Sequence, residues 1–138
     1  MRHALIVVAI AAMSSLAFAQ QQVTPAQQRV DAAQRVVNVI AAQYATGTAP
    51  FEDVAIWNKR LFEAKRDAGA TGAALVAAAQ AWVDKMKAIE QLAQQRVHTG
   101  IANATETDKA LFYRLEAEMV LAKLKTPGST STTTSPGY

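Results

Sequence analysis

The sequence predicts an all-α protein, either an antiparallel four-helix bundle or two packed helical hairpins, followed by a disordered C-terminal tail. From residue 25 to residue 126, glycine and proline occur at only a few points. The stretches between them are rich in alanine, leucine, glutamine and charged residues, which favour helix. No stretch shows the alternation of apolar and polar residues that is typical of a half-buried strand. A third observation is a local pattern that occurs twice, 53 residues apart.

Each copy of this pattern predicts a helix that ends at a glycine, a short turn and a new amphipathic helix. The first copy contains Tyr44, Gly47, Asp53 and Phe62-Glu63-Ala64, and the second contains Val97, Gly100, Glu106 and Leu115-Glu116-Ala117. We expect Gly47 and Gly100 to adopt the left-handed backbone conformation that commonly closes a helix. Such short turns make antiparallel neighbours of the helices that they join.

The first and last helices have clear start signals. Thr24 can cap the first helix, Pro25 occupies its first position, and Gln27 completes a capping box. Asn103 and Glu106 form the same capping box before the last helix. In the first helix, apolar residues then follow at alternating spacings of four and three, which places them on one stripe: Ala26, Val30, Ala33, Val37, Ile40 and Tyr44.

The link between the second and third helices decides the shape of the molecule. Gly69 and Gly72 lie within four residues of each other, and each glycine weakens a helix. We therefore predict a turn and a compact bundle. If the segment were only a kink, the two helices would form one rod of about 48 residues, roughly 70 Å long at a rise of 1.5 Å per residue.

The N-terminal residues match a secretory signal peptide. Arg2 and His3 give a positive start, residues 4–13 are apolar, and Ala17-Phe18-Ala19 fits the small-residue rule for a cleavage site. An uncleaved membrane anchor is the alternative interpretation. The apolar run is shorter than the ~20 residues that a membrane span requires, so we expect cleavage and no transmembrane span afterwards. The expected location is the periplasm or the surrounding medium.

Three segments are therefore predicted. Residues 1–19 are a signal peptide, residues 20–125 a helical domain, and residues 126–138 a tail rich in serine, threonine and proline, which has no apolar period and is expected to be disordered. The chain has no cysteine, which excludes disulfides and thiolate metal sites. Its 14 basic and 11 acidic residues are spread along the helices, so no basic patch for nucleic acid is predicted.

The repeated pattern resembles the helical repeat of TolC-type outer-membrane efflux proteins. The shared elements are an aromatic or aliphatic residue, a glycine three residues later, a cap position, an acidic residue and a Leu/Phe-Glu-Ala run. The second copy has all of them, with Asn103 at the cap, whereas the first has Pro50 in place of a serine or threonine. The resemblance implies helical hairpins like those of that family. It does not imply a channel, because no strands for a membrane barrel are predicted.

A second resemblance lies at the start of the first helix. The run Val23-Thr24-Pro25-Ala26-Gln27 is similar to the Leu-Thr-x-x-Gln motif of Spy/CpxP-type periplasmic chaperones, which are small, exported and all-helical. Valine replaces leucine, and a second copy of the motif is not evident. The resemblance implies a holdase that binds unfolded proteins, and a helix capping box is the alternative interpretation.

Residues with catalytic or metal-binding potential are scarce. After residue 19 the one histidine is His98, at the end of the third helix, where the helix dipole favours a histidine. Glu63 and Glu116 hold equivalent places in the two copies of the pattern, but their basic neighbours indicate a solvated, charge-balanced face. We therefore predict a non-enzymatic protein with no cofactor, no metal and no small-molecule substrate.

The aromatic residues suggest where a partner binds. Trp57 and Trp82 lie on the apolar stripes and are predicted to be core. A second apolar face is predicted from four residues that fall partly off the stripes: Ile56, Phe62, Leu111 and Phe112. An apolar surplus of this kind usually marks an oligomer or partner surface, while packing within the core is the alternative. We expect a structural or adaptor protein that contacts another protein or a second copy of itself, with a Spy/CpxP-like holdase as the alternative.

Overall fold

The computed structural model describes residues 23–126, which form four α-helices. They are α1 (Pro25–Ala45), α2 (Phe51–Asp67), α3 (Gly72–His98) and α4 (Ala104–Lys125). The predicted all-α fold is confirmed, and no strand occurs within this range. None of these helices combines the length and the apolar character that a membrane crossing requires. The predicted signal peptide and all but the first residue of the predicted tail lie outside the described residues.

The two hairpin turns close with the same backbone hydrogen bonds, 53 residues apart. At the first turn, the N–H groups of Thr48 and Ala49 donate to the carbonyl of Gln43. At the second turn, the N–H groups of Ile101 and Ala102 donate to the carbonyl of Arg96. The predicted glycines make this possible, because the φ angle is +78° at Gly47 and +74° at Gly100. The left-handed closures predicted at both glycines are confirmed.

The segment between α2 and α3 is a turn. Both of its glycines have positive φ, +99° at Gly69 and +51° at Gly72, and the N–H of Ala70 donates to the carbonyl of Lys65 to close α2. The two helices therefore fold back on each other, and the single-rod alternative is excluded. This turn lies at the opposite end of the bundle from the other two.

The predicted cap is confirmed at Thr24, whereas neither predicted capping box is complete. The Thr24 hydroxyl oxygen accepts a hydrogen bond from the N–H of Gln27, as predicted, but the Gln27 side chain donates to Asp31 and does not return to Thr24. Asn103 occupies the cap position of α4 but makes no side-chain bond to the helix, and its side chain accepts from the Thr105 hydroxyl instead. The capping box predicted there is wrong, because the Glu106 carboxylate turns toward Tyr44 and Arg96.

The helices pack as two hairpins joined through α2. The first hairpin pairs α1 with α2 and the second pairs α3 with α4, while α2 also packs against both α3 and α4. Along most of its length α1 packs against α2 and not against α3 or α4. A small apolar cluster joins α1 to α2 through Ala33, Val37 and Leu61, with the half-buried Trp57 at its edge. The larger core joins α2, α3 and α4, includes Trp82 as predicted, and also takes in Tyr44 from the last turn of α1.

Candidate functional site: the outer face of α4

Helix α4 carries apolar residues on two opposite faces. The inner face is buried in the core through Ala110, Ala117 and Leu121. The opposite face, here called the outer face, is formed by four large side chains that are exposed to solvent: Leu111 (36 %), Phe112 (66 %), Leu115 (44 %) and Met119 (61 %). Residues three and four apart share one face of a helix, so these side chains form a continuous strip.

The strip is anchored to the core at Phe112. The ring of Phe112 packs edge-on against Tyr113, with ring centroids 5.4 Å apart, and Tyr113 in turn lies 5.9 Å from the buried Phe51. Phe112 is therefore held by one neighbour while most of its surface stays in water. An aromatic side chain in this state contributes a large apolar area that only a partner can bury.

Rows of ion pairs flank the outer face on both sides. Toward α2, Lys109 pairs with Glu52 and Glu116 pairs with Lys59. Toward α3, Arg114 pairs with Glu90 and, at 2.8 Å, with Glu118. These pairs satisfy the charges beside the strip, so the apolar side chains lie between two polar rims. Protein interfaces have this organisation, with an apolar centre and a polar rim.

The two ends of the outer face carry charges of opposite sign. Asp108 lies one turn before Phe112, and Lys123 lies one turn after Met119, and both side chains are exposed. Within residues 23–126, neither of them takes part in an ion pair. The strip is therefore bounded along its length by one free carboxylate and one free ammonium group.

The four residues predicted for contact are not all available to a partner. Leu111 and Phe112 are exposed on the outer face, and Ile56 is exposed on α2, on the side that carries Glu52 and Lys59. Phe62 is only 5 % exposed and stacks on Trp82, with ring centroids 5.2 Å apart. The prediction of Phe62 as a contact residue is corrected on this ground, because α3 packs over the side of α2 that carries it.

Leu115 and Met119 belong to the outer face but are not among the contact residues predicted from the sequence. The signal for them is present, since Leu111, Leu115 and Met119 follow one another at four-residue spacing. However, α4 has apolar residues on so many sides that periodicity alone does not separate an inner from an outer stripe. Burial in the folded protein is what separates them.

A polar cluster joins the two hairpins at the end of the bundle that contains the turns after α1 and α3. The Tyr44 hydroxyl donates to Glu106, Arg96 donates to the same carboxylate at 3.1 Å, and Arg96 also donates to the Tyr44 carbonyl at 2.8 Å. The Arg96 guanidinium lies 4.7 Å from the centre of the Tyr44 ring. Burial, followed by the hydrogen bond to Glu106, raises the pKa of Tyr44 well above its ordinary value. The groups satisfy one another, which makes the cluster a structural link.

The two glutamates that hold equivalent places in the repeated pattern lie near each other in the folded protein. Glu63 and Glu116 both line a cavity of about 340 Å³ between α2, α3 and α4, and Glu116 is paired there with Lys59. His98 is exposed at the far end of α3. Among residues 23–126 there is no group of three histidine or acidic side chains that could hold a metal ion.

Within residues 23–126, the four helices form a small helical domain whose last helix exposes an apolar face. Comparison with protein-family models, with curated proteins and with solved structures finds no match for this chain.

Proposed function

We propose that this protein is a non-enzymatic structural or adaptor protein that acts through protein–protein contact at the outer face of α4. One observation carries the proposal: four large apolar side chains lie side by side in water on a helix whose opposite face is already buried. Leaving such a strip exposed forgoes about 25 cal/mol for each Å² of apolar surface that a partner would cover. Contiguous exposed apolar patches usually mark interaction sites.

The composition of the face adds to this argument. Aromatic residues and methionine are enriched at the centres of protein interfaces, and the outer face presents Phe112 and Met119 together with two leucines. The charged neighbours are engaged in ion pairs at the sides, so a partner would not have to desolvate isolated charges along most of the strip. Ile56 extends the apolar surface toward α2.

Export is part of the same proposal. The pattern in residues 1–19 is that of a cleavable signal peptide, and we propose that the helical domain works in the periplasm or the medium. The likeness to TolC-type repeats enters here only as a proposal about hairpin architecture. The two turns close with the same backbone hydrogen bonds, and this geometry implies no activity.

The test is site-specific photo-crosslinking in intact cells. A photoreactive amino acid replaces Phe112 in one variant and Ile101 in a matched control, because these side chains are 66 % and 67 % exposed and Ile101 lies in the turn before α4. We expect position 112 to give one recurrent cross-linked species, identified by mass spectrometry, and position 101 to give none. Equal patterns from both positions, or no adduct from position 112, would refute the proposal.

The second candidate function is a Spy/CpxP-like holdase, and one observation favours it. A cavity of about 340 Å³ is lined by both charged and apolar side chains, and its apolar lining includes Phe62, Leu75 and Trp82. The indole N–H of Trp82 is buried without a hydrogen-bond partner among the described residues. A concave apolar surface is what a holdase requires. In the cross-linking experiment, a broad spread of unrelated proteins at position 112, or at a probe placed on Leu75, would favour this candidate over a dedicated contact.

A further inference from the structure

Residues at equivalent positions of α2 and α4, 53 positions apart in the sequence, differ in whether another helix packs against them. On α2, Ala55, Asn58 and Phe62 are buried, and α3 packs against α2 at Phe62, where Trp82 stacks on the ring. The residues 53 further along are Asp108, Leu111 and Leu115, and all three are exposed. Helix α4 therefore presents to solvent the side that α2 uses to bind its next helix. Nothing among residues 23–126 covers that side of α4, so its occupant has to come from outside the described helices.

We propose that the occupant is a second copy of this chain, whose α4 packs antiparallel against the outer face of the first. This inference rests on the proposed function and specifies its partner. It is drawn from the order of residues along the face, which is complementary to itself when the helix direction is reversed.

Three of the four apolar residues of the outer face, Phe112, Leu115 and Met119, fit this arrangement about a single midpoint. The point halfway between Leu115 and Glu116 is also halfway between Phe112 and Met119. A two-fold axis through this point brings Phe112 of one copy opposite Met119 of the other, twice, and brings the two Leu115 side chains together at the centre. Sulfur–aromatic contacts of this kind are favourable, and an interface with two-fold symmetry is the commonest way in which identical chains associate.

The charges at the ends fit the same midpoint. Asp108 and Lys123 are separated by about 22 Å along the helix at 1.5 Å per residue, and they are equally far from the point between Leu115 and Glu116. In the antiparallel pair, Asp108 of each copy lies opposite Lys123 of the other, so both free charges gain a partner. A parallel pair would place like charges together. Charge complementarity of this kind fixes orientation and register.

The small size of the face indicates a weak association. Four side chains make a smaller apolar centre than a permanent dimer has, and interfaces at the low end of the size range are weak and transient. We therefore expect a concentration-dependent equilibrium between monomer and dimer in the micromolar range, on the order of 10–100 µM.

The experiment measures the dimer dissociation constant by analytical ultracentrifugation. The full chain is expressed and purified in the form that the cell processes, alongside Asp108→Lys, Lys123→Asp and the double variant. Each single change places like charges opposite each other twice in the dimer, and we expect self-association to weaken on the order of tenfold. The double variant restores both pairs with the signs exchanged, so we expect recovery to near the wild-type dissociation constant. Circular dichroism checks that each variant keeps its helices.

A second pair of variants tests the apolar contact of the dimer independently of the charge pairs. Leu115→Glu places two carboxylates at the proposed axis and is expected to abolish the dimer. Val39→Glu, at a 56 % exposed position on α1, is the matched control and is expected to leave the dissociation constant unchanged. A chain that stays monomeric up to 1 mM, about tenfold above the expected range, would overturn the inference, as would a double variant no better than its single variants.

The photo-crosslinking result then separates this inference from the proposed function. Adducts between two copies at position 112 support both. A single recurrent adduct with a different protein, together with a monomeric chain, overturns the second copy as occupant and leaves the proposed contact function standing. Absence of any specific adduct, with a monomeric chain, overturns both.

Discussion

The two hairpins of this protein close in the same way and differ in what covers their second helices. The turns after α1 and α3 make the same backbone hydrogen bonds around a left-handed glycine. Yet α2 is covered by α1 on one side and by α3 and α4 on the other, whereas α4 is covered by α3 and, to a smaller extent, by α2. Local chemistry thus produces two similar hairpins, and only the order in which they stack leaves one apolar face in water.

The largest expected effect on the free energy of unfolding comes from truncating the residues at one pair of equivalent positions, Phe62 on α2 and Leu115 on α4. Phe62→Ala removes a ring that stacks on Trp82 in the core, and we expect it to lower the free energy of unfolding by about 3–5 kcal/mol. Leu115→Ala, 53 residues later, should change it by less than about 0.5 kcal/mol when measured in dilute protein by urea unfolding. Equal losses would mean that the outer face is part of the core.

The polar cluster at the turn end offers the next comparison. Glu106→Ala leaves Arg96 without its carboxylate and the Tyr44 hydroxyl without its acceptor, and we expect a loss of about 2 kcal/mol in the free energy of unfolding. Asp53→Ala, the equivalent change in the first hairpin, removes an exposed carboxylate near a helix start and should cost less than about 1 kcal/mol. Thermal unfolding of the two variants would check this order.

The raised pKa of Tyr44 predicts that the free energy of unfolding decreases at alkaline pH. Its pKa is raised in the folded protein, by burial first and then by Glu106, so the folded state keeps the phenol proton that the unfolded chain releases near pH 10. The stabilisation is complete below pH 10 and is lost as the pH rises above it, by at most about 1.4 kcal/mol per pH unit for one proton.

A comparison of unfolding curves between pH 9 and 11 tests the role of Tyr44. Tyr44→Phe should fall less steeply above pH 10 than the wild type. It should still lose some stability there, because hydrogen bonds to Glu116 and Glu52 raise the pKa of Lys59 and Lys109. Identical slopes for variant and wild type would show that the Tyr44 proton is not linked to folding.

The smallest effects are expected at the two glycines that close α1 and α3. Gly47→Ala and Gly100→Ala should each cost about 1 kcal/mol, because both positions have positive φ. A methyl group at Gly47 would meet Arg96 at 3.6 Å, an ordinary contact, and one at Gly100 would meet open space, so we expect equal losses. A melting temperature unchanged in either variant would break the likeness between the hairpins.

Local signals in the sequence were sufficient to predict most of the fold. Thr24, the glycines at the turns and the spacing of apolar residues specify where helices begin, end and bury a side, because each acts over a few residues. The capping box at Asn103 failed for a tertiary reason. The Glu106 side chain has a stronger pair of partners, Tyr44 and Arg96, which approach only after the hairpins pack.

The site was predictable only in part, because exposure depends on helix rotation. Leu111 and Phe112 were predicted as contact residues and are exposed, whereas Phe62 is buried by α3. All three fall off the main apolar stripe of their helices, so spacing alone treats them alike. Phe62 is buried because α2 is followed in the chain by α3, which packs against it, whereas no described helix follows α4. The spacing of apolar residues does not contain this tertiary information.

The most direct test of the central claim is whether the outer face of α4 is covered in the cell. The chain has no cysteine, so single variants Met119→Cys and Val39→Cys can report exposure through thiol labelling, and the native side chains are 61 % and 56 % exposed. A membrane-permeable maleimide would be applied to intact cells and to dilute purified protein. We predict that Cys at position 119 is labelled several-fold more slowly in cells than in dilute protein, while position 39 shows no such difference. Equal labelling of the two positions in cells would contradict the account.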